Sequence, residues 1–572
     1  MLGTGLVCLR AVRFEGPVWL RLPVALFAGV ALACTFAVVV LVGGAGVLTL
    51  RILSCLLLAI GVWGCVVELR FGDTRDWREH LVKERWLSAI VLVSLLLNLI
   101  VALAPSTKID EIRYHMPIPQ RIEADDGLRA YREPWEAAIY PQTEYEIGLS
   151  LVRVWGWTDV PNVMGWGIGA VLILLVAGAT ARLASSAAVG LLAAALAEVG
   201  LHPALHHVTG GSHSLGDLAM VVAFVLLLLS PKPRFSACAL AWLAIVAAAF
   251  AVAASTKLTI MPICVALTVY SGFRAVRSNS TGRIEAVIIP CGAWLLCYAP
   301  LVCWSVFHTG SPFGTATASF FHSTFFGPET LAKVAAGRAA YSRTLAHLRH
   351  AAYVTLLSYS PAVILAICLV AAGIRRHPEF RFLSLAVIFQ AMIVAIVAPP
   401  DLRFMGGLQV VALIGAAAVL AVSPRGRRWL EHPLMIAIVL AVPWLAIQAR
   451  YTAIFIPVTF GIESKEAFLR QHVPLAADFA ALDRLLPPDA VLYTPHGLIA
   501  SVYAPRPVEF AARDLPEGRP VFFVQVGRNR NTAPLVCDDA VYENPHASVV
   551  AFRTSPPRYG LLRVLRCRDV RP

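Results

Sequence analysis

The chain alternates between apolar blocks and short polar turns. A block of roughly 17–25 apolar residues is long enough to cross a bilayer as a helix. About thirteen such blocks can be marked, at 20–42, 47–69, 87–105, 161–183, 186–201, 214–230, 235–254, 257–272, 284–305, 351–373, 382–398, 405–423 and 433–456. Only Ser255-Thr256-Lys257 divides the seventh from the eighth. Three long stretches lack such blocks: 106–160, 306–350 and everything after about 459. In the last of these the period changes. AADFAALDRLLPPDA is helical in period and stops at Pro487-Pro488, while AVLYT, PVFFVQV and YGLLRVLRC read as strands. The spacing predicts a small α/β domain over 459–572, large enough for its own core.

The basic residues give the blocks an orientation. With the N-terminus inside, the inner loops hold Arg70, Arg75, Arg78, Lys83, Arg85, Arg182, Lys232, Arg234, Arg274, Arg277, Arg283, Arg375, Arg376, Arg381, Arg425, Arg427 and Arg428. The short outer turns hold only Arg51, Lys257 and Arg403, a bias of seventeen to three that fits the positive-inside rule. All three long polar stretches then lie outside. The organisation expected is a two-helix membrane segment over 1–86, a transmembrane domain over 87–458 with outer loops 106–160 and 306–350, and an extracytoplasmic tail over 459–572.

Composition narrows the class. Of the 572 residues 58% are hydrophobic and 15% charged, against roughly 45–50% apolar in soluble domains. The net charge of +13 comes from short loops between apolar blocks, so it reports topology and gives no reason to expect a nucleic-acid partner. The basic start, with Arg10, Arg13 and Arg21, leads into a long apolar run without a small-residue cleavage site, so no cleavable signal peptide is expected. Among the twelve cysteines there is no CxxC pair and no zinc-type His/Cys spacing. Most lie in apolar runs (Cys34, Cys55, Cys65, Cys238, Cys264, Cys291, Cys297, Cys368) and read as small hydrophobes. Cys537 and Cys567 stand in the polar tail, where an oxidising outer compartment permits a disulfide.

The candidate chemistry starts where the third block ends. STKIDEIRYHMPIPQ puts Asp110 and Glu111 just outside the apolar run, followed by Tyr114, His115 and Pro117. An acidic residue there can simply mark where a helix meets water. It can also serve chemistry at the membrane surface, where charges are functional candidates. The following stretch to about 151 is aromatic and partly amphipathic, which predicts helices lying across the interface. Asp217, in GGSHSLGDLAM, reads either as an acidic residue near a helix N-terminus or as a site carboxylate. His202, His206, His207 and His213 crowd the same turn, but no HxxxH or HExxH spacing appears, so a metal is the lesser reading. Lys257 and Arg403 are cations at outer helix ends, placed against the charge bias; they either snorkel to headgroups or bind an anion. Arg338, Arg343, His347 and Arg349 form a basic run before the tenth block, facing anionic lipid or guiding a donor.

The order D-x-x-x-Y-H-x-P, carried by Asp110, Tyr114, His115 and Pro117, resembles the opening of the first outer loop in GT-C glycosyltransferases. Within them it is similar to bacterial members related to protein O-mannosyltransferases and lipid-A sugar transferases. ASTKLT at 254–259, HTGSPFGTATASFF at 308–321, PPDLRFM at 399–405 and the linker at 461–493 resemble later elements of those enzymes. The resemblance covers about 87–510; two spans before the acidic loop, where many relatives have one span in total, are a departure. It implies an all-α polytopic membrane protein of GT-C type, with about thirteen transmembrane helices and a small C-terminal α/β extracytoplasmic domain. It also implies inverting transfer of a hexose or pentose from a polyprenyl-phosphate donor to an acceptor hydroxyl on a glycolipid, polysaccharide or protein, at the outer face of the plasma (inner) membrane.

In that reading Asp110 is the general base, Glu111 the reserve candidate and Asp217 a second site carboxylate. Lys257, Arg403 and Arg343 bind the donor phosphate, and Tyr114 and His115 contact substrate. No cofactor and no metal are expected. A transporter or flippase of lipid-linked glycans is the alternative. It would favour internal repeats and polar groups near the midplane, whereas the charges here gather at one face, Glu198 excepted. A third reading, a membrane anchor presenting the tail, makes so many spans excessive.

Overall fold

The computed structural model describes residues 1–572 except 13, 15, 72–81, 133–136, 141, 230–236, 278–281, 341–348, 350–351, 354, 357, 374–379, 397–401, 495–500, 511, 513–514, 527–535, 553–554 and 569–572. Arg343 and His347 fall outside the described residues, as do Arg75, Arg78, Lys232, Arg234, Arg375 and Arg376 from the inner loops. The described chain is mostly helical up to about residue 485, with a sheet beyond.

Each of the thirteen apolar blocks contains helix. By length and composition, however, six helices can cross a membrane: Val18–Val42, Val47–Glu68, Arg85–Leu103, Val160–Ala184, Ala239–Thr256 and Leu258–Arg277. Three bent pairs raise this to as many as nine among the described residues. All three bends fall next to prolines; Leu408–Val422 meets Pro424–Leu430 at 117° beside Pro424. Glu285–Cys297 meets Ala299–Thr309 at 51° beside Pro300, and Pro433–Leu440 meets Val442–Thr452 at 44° beside Pro443. A proline removes a ladder hydrogen bond and clashes with the preceding turn. The remaining blocks hold shorter helices, Ala187–Glu198, His213–Leu229, Pro361–Gly373 and Arg381–Ile396. The boundary at Ser255-Thr256-Lys257 is real: the seventh helix ends at Thr256, and Lys257 is extended at φ −152°, ψ 117°.

One element has no counterpart in the apolar pattern. Leu2–Ala11 is a ten-residue helix, too short to register as a block. It packs on Val18–Val42 and Val47–Phe71 through glycines: a Cβ on Gly3 would lie 1.7 Å from the Gly61 carbonyl oxygen. Small residues let helix backbones approach this closely without a hydrophobic driving force. Arg10 and Arg21 both reach Glu68 at one end of this packet.

The stretch 106–160 differs from the expected interfacial helices. Pro117–Ala124 and Glu144–Arg153 form, but all residues from Glu144 to Leu151 are buried. The second helix wedges against Val18–Val42, with Gly148 over Cys34. Its first turn carries Glu144, whose carboxylate accepts from Thr35 Oγ1 at 3.3 Å. Burial pushes the Glu144 carboxyl up to about 7, against hydrogen bonds from Ser255 and Thr35. The linkage sign follows. Below about 4.5 the group is protonated in both folded and unfolded chains and costs nothing. Between 4.5 and 7 the unfolded chain ionises first, and stability falls as pH rises. The full cost, about 3 kcal/mol, is present above 7. Glu144→Gln is therefore expected to melt higher than wild type at pH 8 and much closer to it at pH 4.5. Thermal scans in detergent across that range check this; parallel curves would refute it.

The tail folds as a five-stranded sheet in the order β2-β1-β3-β5-β4. β1 (Val491–Tyr493) pairs in parallel with β2 (Val508–Glu509) and β3 (Val521–Val526). β5 (Ser555–Arg568) runs antiparallel between β3 and β4 (Val536–Phe552). Lys465–His472 and Ala476–Leu485 cover it, the latter ending before Pro487 because proline cannot continue a helix. Cys537 and Cys567 stand opposite each other on β4 and β5 and are joined by a disulfide. The tail sits on the acidic loop. Ile112 packs into the tail's own core, Arg121 binds the Val508 carbonyl at 2.9 Å and Glu509 at 2.5 Å, and Tyr503 donates to the Ser106 carbonyl at 2.6 Å.

Candidate functional site

Four separated stretches meet at one end of the helices: the acidic loop after Leu103, the histidine turn 202–213, the break at Lys257 and the turn at Arg403. Arg403 Nη1 donates to Asp110 Oδ2 at 3.2 Å, across 293 positions of sequence. Lys257 Nζ donates to the backbone carbonyl of Arg403. Both cations lie over one ring, each 5.0 Å from the centre of Phe404. A cation over an aromatic face is held by the ring quadrupole, so Phe404 fixes two positive charges in one place. Lys257 is only 8% exposed, whereas Asp110 and Arg403 keep part of their side chains open.

The local sequence explains the approach. Leu402–Met405 is a single 3-10 turn, tied by Gln390 Nε2 donating to the Phe404 carbonyl at 2.9 Å. Gly406 and Gly407 follow with φ +53° and +85°, a left-handed pair that turns the chain sharply into Leu408–Val422. A Cβ on Gly407 would lie 3.0 Å from the Asp217 Cα. The two glycines thus bring the Arg403 turn against the Asp217 helix.

The acidic loop enters through a π-turn, Glu111–His115, with Met116 N–H bonded to the Glu111 carbonyl at 2.9 Å. Asp110 is its N-cap and faces Arg403. Glu111 is buried and accepts from the Gly210 N–H at 2.9 Å. Burial raises its carboxyl, partly offset by Lys108 and the Gly210 bond. It therefore fastens the acidic loop to the histidine turn. His115 is buried with Nδ1 at 2.5 Å from Glu146 Oε1, and the Tyr114 ring lies tilted against it, 4.2 Å between centres. Glu146 reaches His115 from the wedged helix, a partner the linear sequence did not single out.

Rings pass from His115 to the interior: His213 is 6.0 Å away, His206 4.8 Å from His213, and His202 4.8 Å from His206. Burial holds His206 well below the usual imidazole range, with His202, His213, Arg403 and Lys257 adding to the effect. Asp217 is buried in the fifth position of His213–Leu229, past the N-cap, so it does more than offset the helix dipole. Its Oδ2 accepts from Gln409 Nε2 at 2.9 Å and lies 3.3 Å from His207 Nε2 and 3.8 Å from His202 Nε2. His202, His207 and Asp217 are the described residues whose donor atoms, all within 4.8 Å of one another, could hold a metal.

Of the expected site residues, the fold draws Asp110, Arg403, Lys257, Tyr114, His115 and Asp217 to one end. Among the resemblance stretches, 308–321 lies elsewhere, with Thr315 N–H bonded to Ala138 at 3.2 Å. Glu198 is not a lone membrane charge: Asn98 Nδ2 donates to it at 2.5 Å. The residues that the sequence left unmarked are Glu146 and Gln409; Phe404 entered only as part of PPDLRFM, and His202 and His207 as members of a crowded turn without a recognised ligand spacing. Only the tandem Gly406-Gly407 carried a local signal, as a turn beside Arg403.

No family model matches the chain, and no curated protein matches it. Among solved structures, it is similar to the apo oligosaccharyltransferase of Archaeoglobus fulgidus at 12% identity and a TM-score of 0.39. The alignment covers 74% of this chain and 64% of that one, less than two thirds of its length.

Proposed function

We propose that this protein transfers a sugar from a polyprenyl-phosphate donor to an acceptor hydroxyl at the outer membrane surface, with inversion. The observation that carries the reading is the meeting of Asp110 with Arg403 and Lys257. A carboxylate and two cations side by side are the groups such a transfer needs. The acceptor oxygen forms the new bond to the anomeric carbon and loses its proton to Asp110. The bond from that carbon to the phosphate oxygen breaks, and its electron pair leaves on polyprenyl phosphate. Arg403 and Lys257 meet that growing negative charge.

Location supports the same reading. Asp110, Lys257 and Arg403 come from breaks between apolar helices, at the end where the charge bias places the outer surface. A polyprenyl tail stays in the bilayer, so its phosphate must sit near that plane. In this reading His115, held by Glu146, and Tyr114 beside it are the side chains that contact substrate. The test is direct. Full-length protein in detergent is mixed with radiolabelled polyprenyl-phosphate hexoses and pentoses, with and without envelope glycolipid as acceptor. Acceptor-dependent release of polyprenyl phosphate is expected; no release from any donor would overturn the proposal.

A further inference from the structure

The histidine turn holds more than the transfer reading uses. His202 and His207 are five residues apart, a spacing that an α-helix of 3.6 residues per turn places about 140° apart. Here the chain runs through a second π-turn, Pro203–His207, with His202 as its N-cap. The wider turn, with its i→i+5 bonding, brings residues five apart onto one face, and such turns gather at functional sites. Both rings then aim Nε2 at the same oxygen, Asp217 Oδ2, at 3.8 and 3.3 Å. All three side chains are at least nine-tenths buried.

The geometry points to a divalent transition-metal site formed by His202, His207 and Asp217, with zinc as the ion its chemistry suits best. Two imidazoles and one carboxylate are the nitrogen and oxygen ligands zinc takes, at bond lengths of roughly 2.0–2.2 Å. Ligand atoms around a tetrahedral ion of that size stand about 3.3–3.6 Å apart. The two distances to Asp217 already fall at and just beyond that span, and the whole set lies within 4.8 Å. Closing the shell requires the 4.8 Å span of the set to shorten around the ion.

The surroundings are those of a supported ligand set. Gln409 Nε2 donates to the Asp217 carboxylate at 2.9 Å, which orients it. Tyr359 stacks on His202 at 4.3 Å. His207 is packed against the backbone of Gly169, where a Cβ would come within 3.1 Å of its own Cβ. Three protein ligands leave a fourth position open, as in catalytic zinc sites. An ion here would tie the histidine turn to the Asp217 helix, against which Gly407 and the Arg403 turn rest. The site does not depend on the transferase reading, and Asp110 is not among its ligands.

The test uses full-length protein in detergent, stripped with a chelator and then titrated with zinc alone. One zinc per chain by elemental mass spectrometry is expected, and cobalt in its place should give the intense visible bands of a four-coordinate nitrogen–oxygen site. His207→Ala and Asp217→Asn should each weaken zinc binding by roughly a hundredfold or more, and Gln409→Leu by about tenfold. His206→Ala, whose ring lies beside the set but outside it, should retain the ion. The cobalt spectrum of the wild-type chain stands even if a variant folds poorly. Failure of the wild-type protein to take up either metal would overturn the site. So would zinc retained by both ligand variants, or lost equally from His206→Ala.

Discussion

Asp110→Asn is expected to lower turnover by about a hundred- to ten-thousand-fold, the usual span for loss of a general base, while the protein still folds and binds donor. The substitution keeps the size of the side chain and its contact with Arg403, and removes only its capacity to take the acceptor proton. Its effect on stability should be small. The Asp110–Arg403 pair is partly open to solvent on both sides, and such pairs contribute at most about 1 kcal/mol. The two readouts separate the roles: a large drop in kcat with an almost unchanged melting temperature supports the base. Near-normal turnover in folded Asp110→Asn would remove it from that role. Glu111→Gln makes the natural control. Glu111 holds Gly210, so its loss should appear first as a lower melting temperature.

The second large effect concerns the two cations. Lys257→Met and Arg403→Ala are each expected to cut kcat strongly, and not merely to raise KM. Charge grows on the departing oxygen as the sugar leaves, so these groups favour the transition state over bound donor. Arg403→Lys should recover only part of the activity, because the planar fork for phosphate oxygens is lost. Lys257→Arg should do better than Lys257→Met. If the two cations merely snorkelled to headgroups, all four variants would show normal kinetics. The burial of Lys257 already argues against that view, since a snorkelling lysine keeps its ammonium in water. Wild-type kcat in both Lys257→Met and Arg403→Ala would move the phosphate site away from Phe404.

Most helices and their order were legible along the chain, because hydrophobic blocks and proline obey local rules. The tail strands at Val491–Tyr493, Val521–Val526 and Ser555–Arg568 could be read for the same reason: period two and β-branched residues act within a few positions. Asp110, Lys257 and Arg403 stood out because each interrupts an apolar run. Their contact could not be read. It joins residues 293 and 146 positions apart, and depends on the left-handed turn at Gly406-Gly407 and on burial of the Glu144–Arg153 helix. The linear pattern had that helix on the membrane surface, since the stretch is aromatic and partly amphipathic. Tertiary packing instead supplied Thr35 and His115 as partners for Glu144 and Glu146. The histidine spacing fails every α-helical motif and acquires meaning only in a π-turn. That turn is a choice of backbone hydrogen bond, i→i+5 over i→i+4, which side-chain periodicity does not encode and the packed surroundings decide.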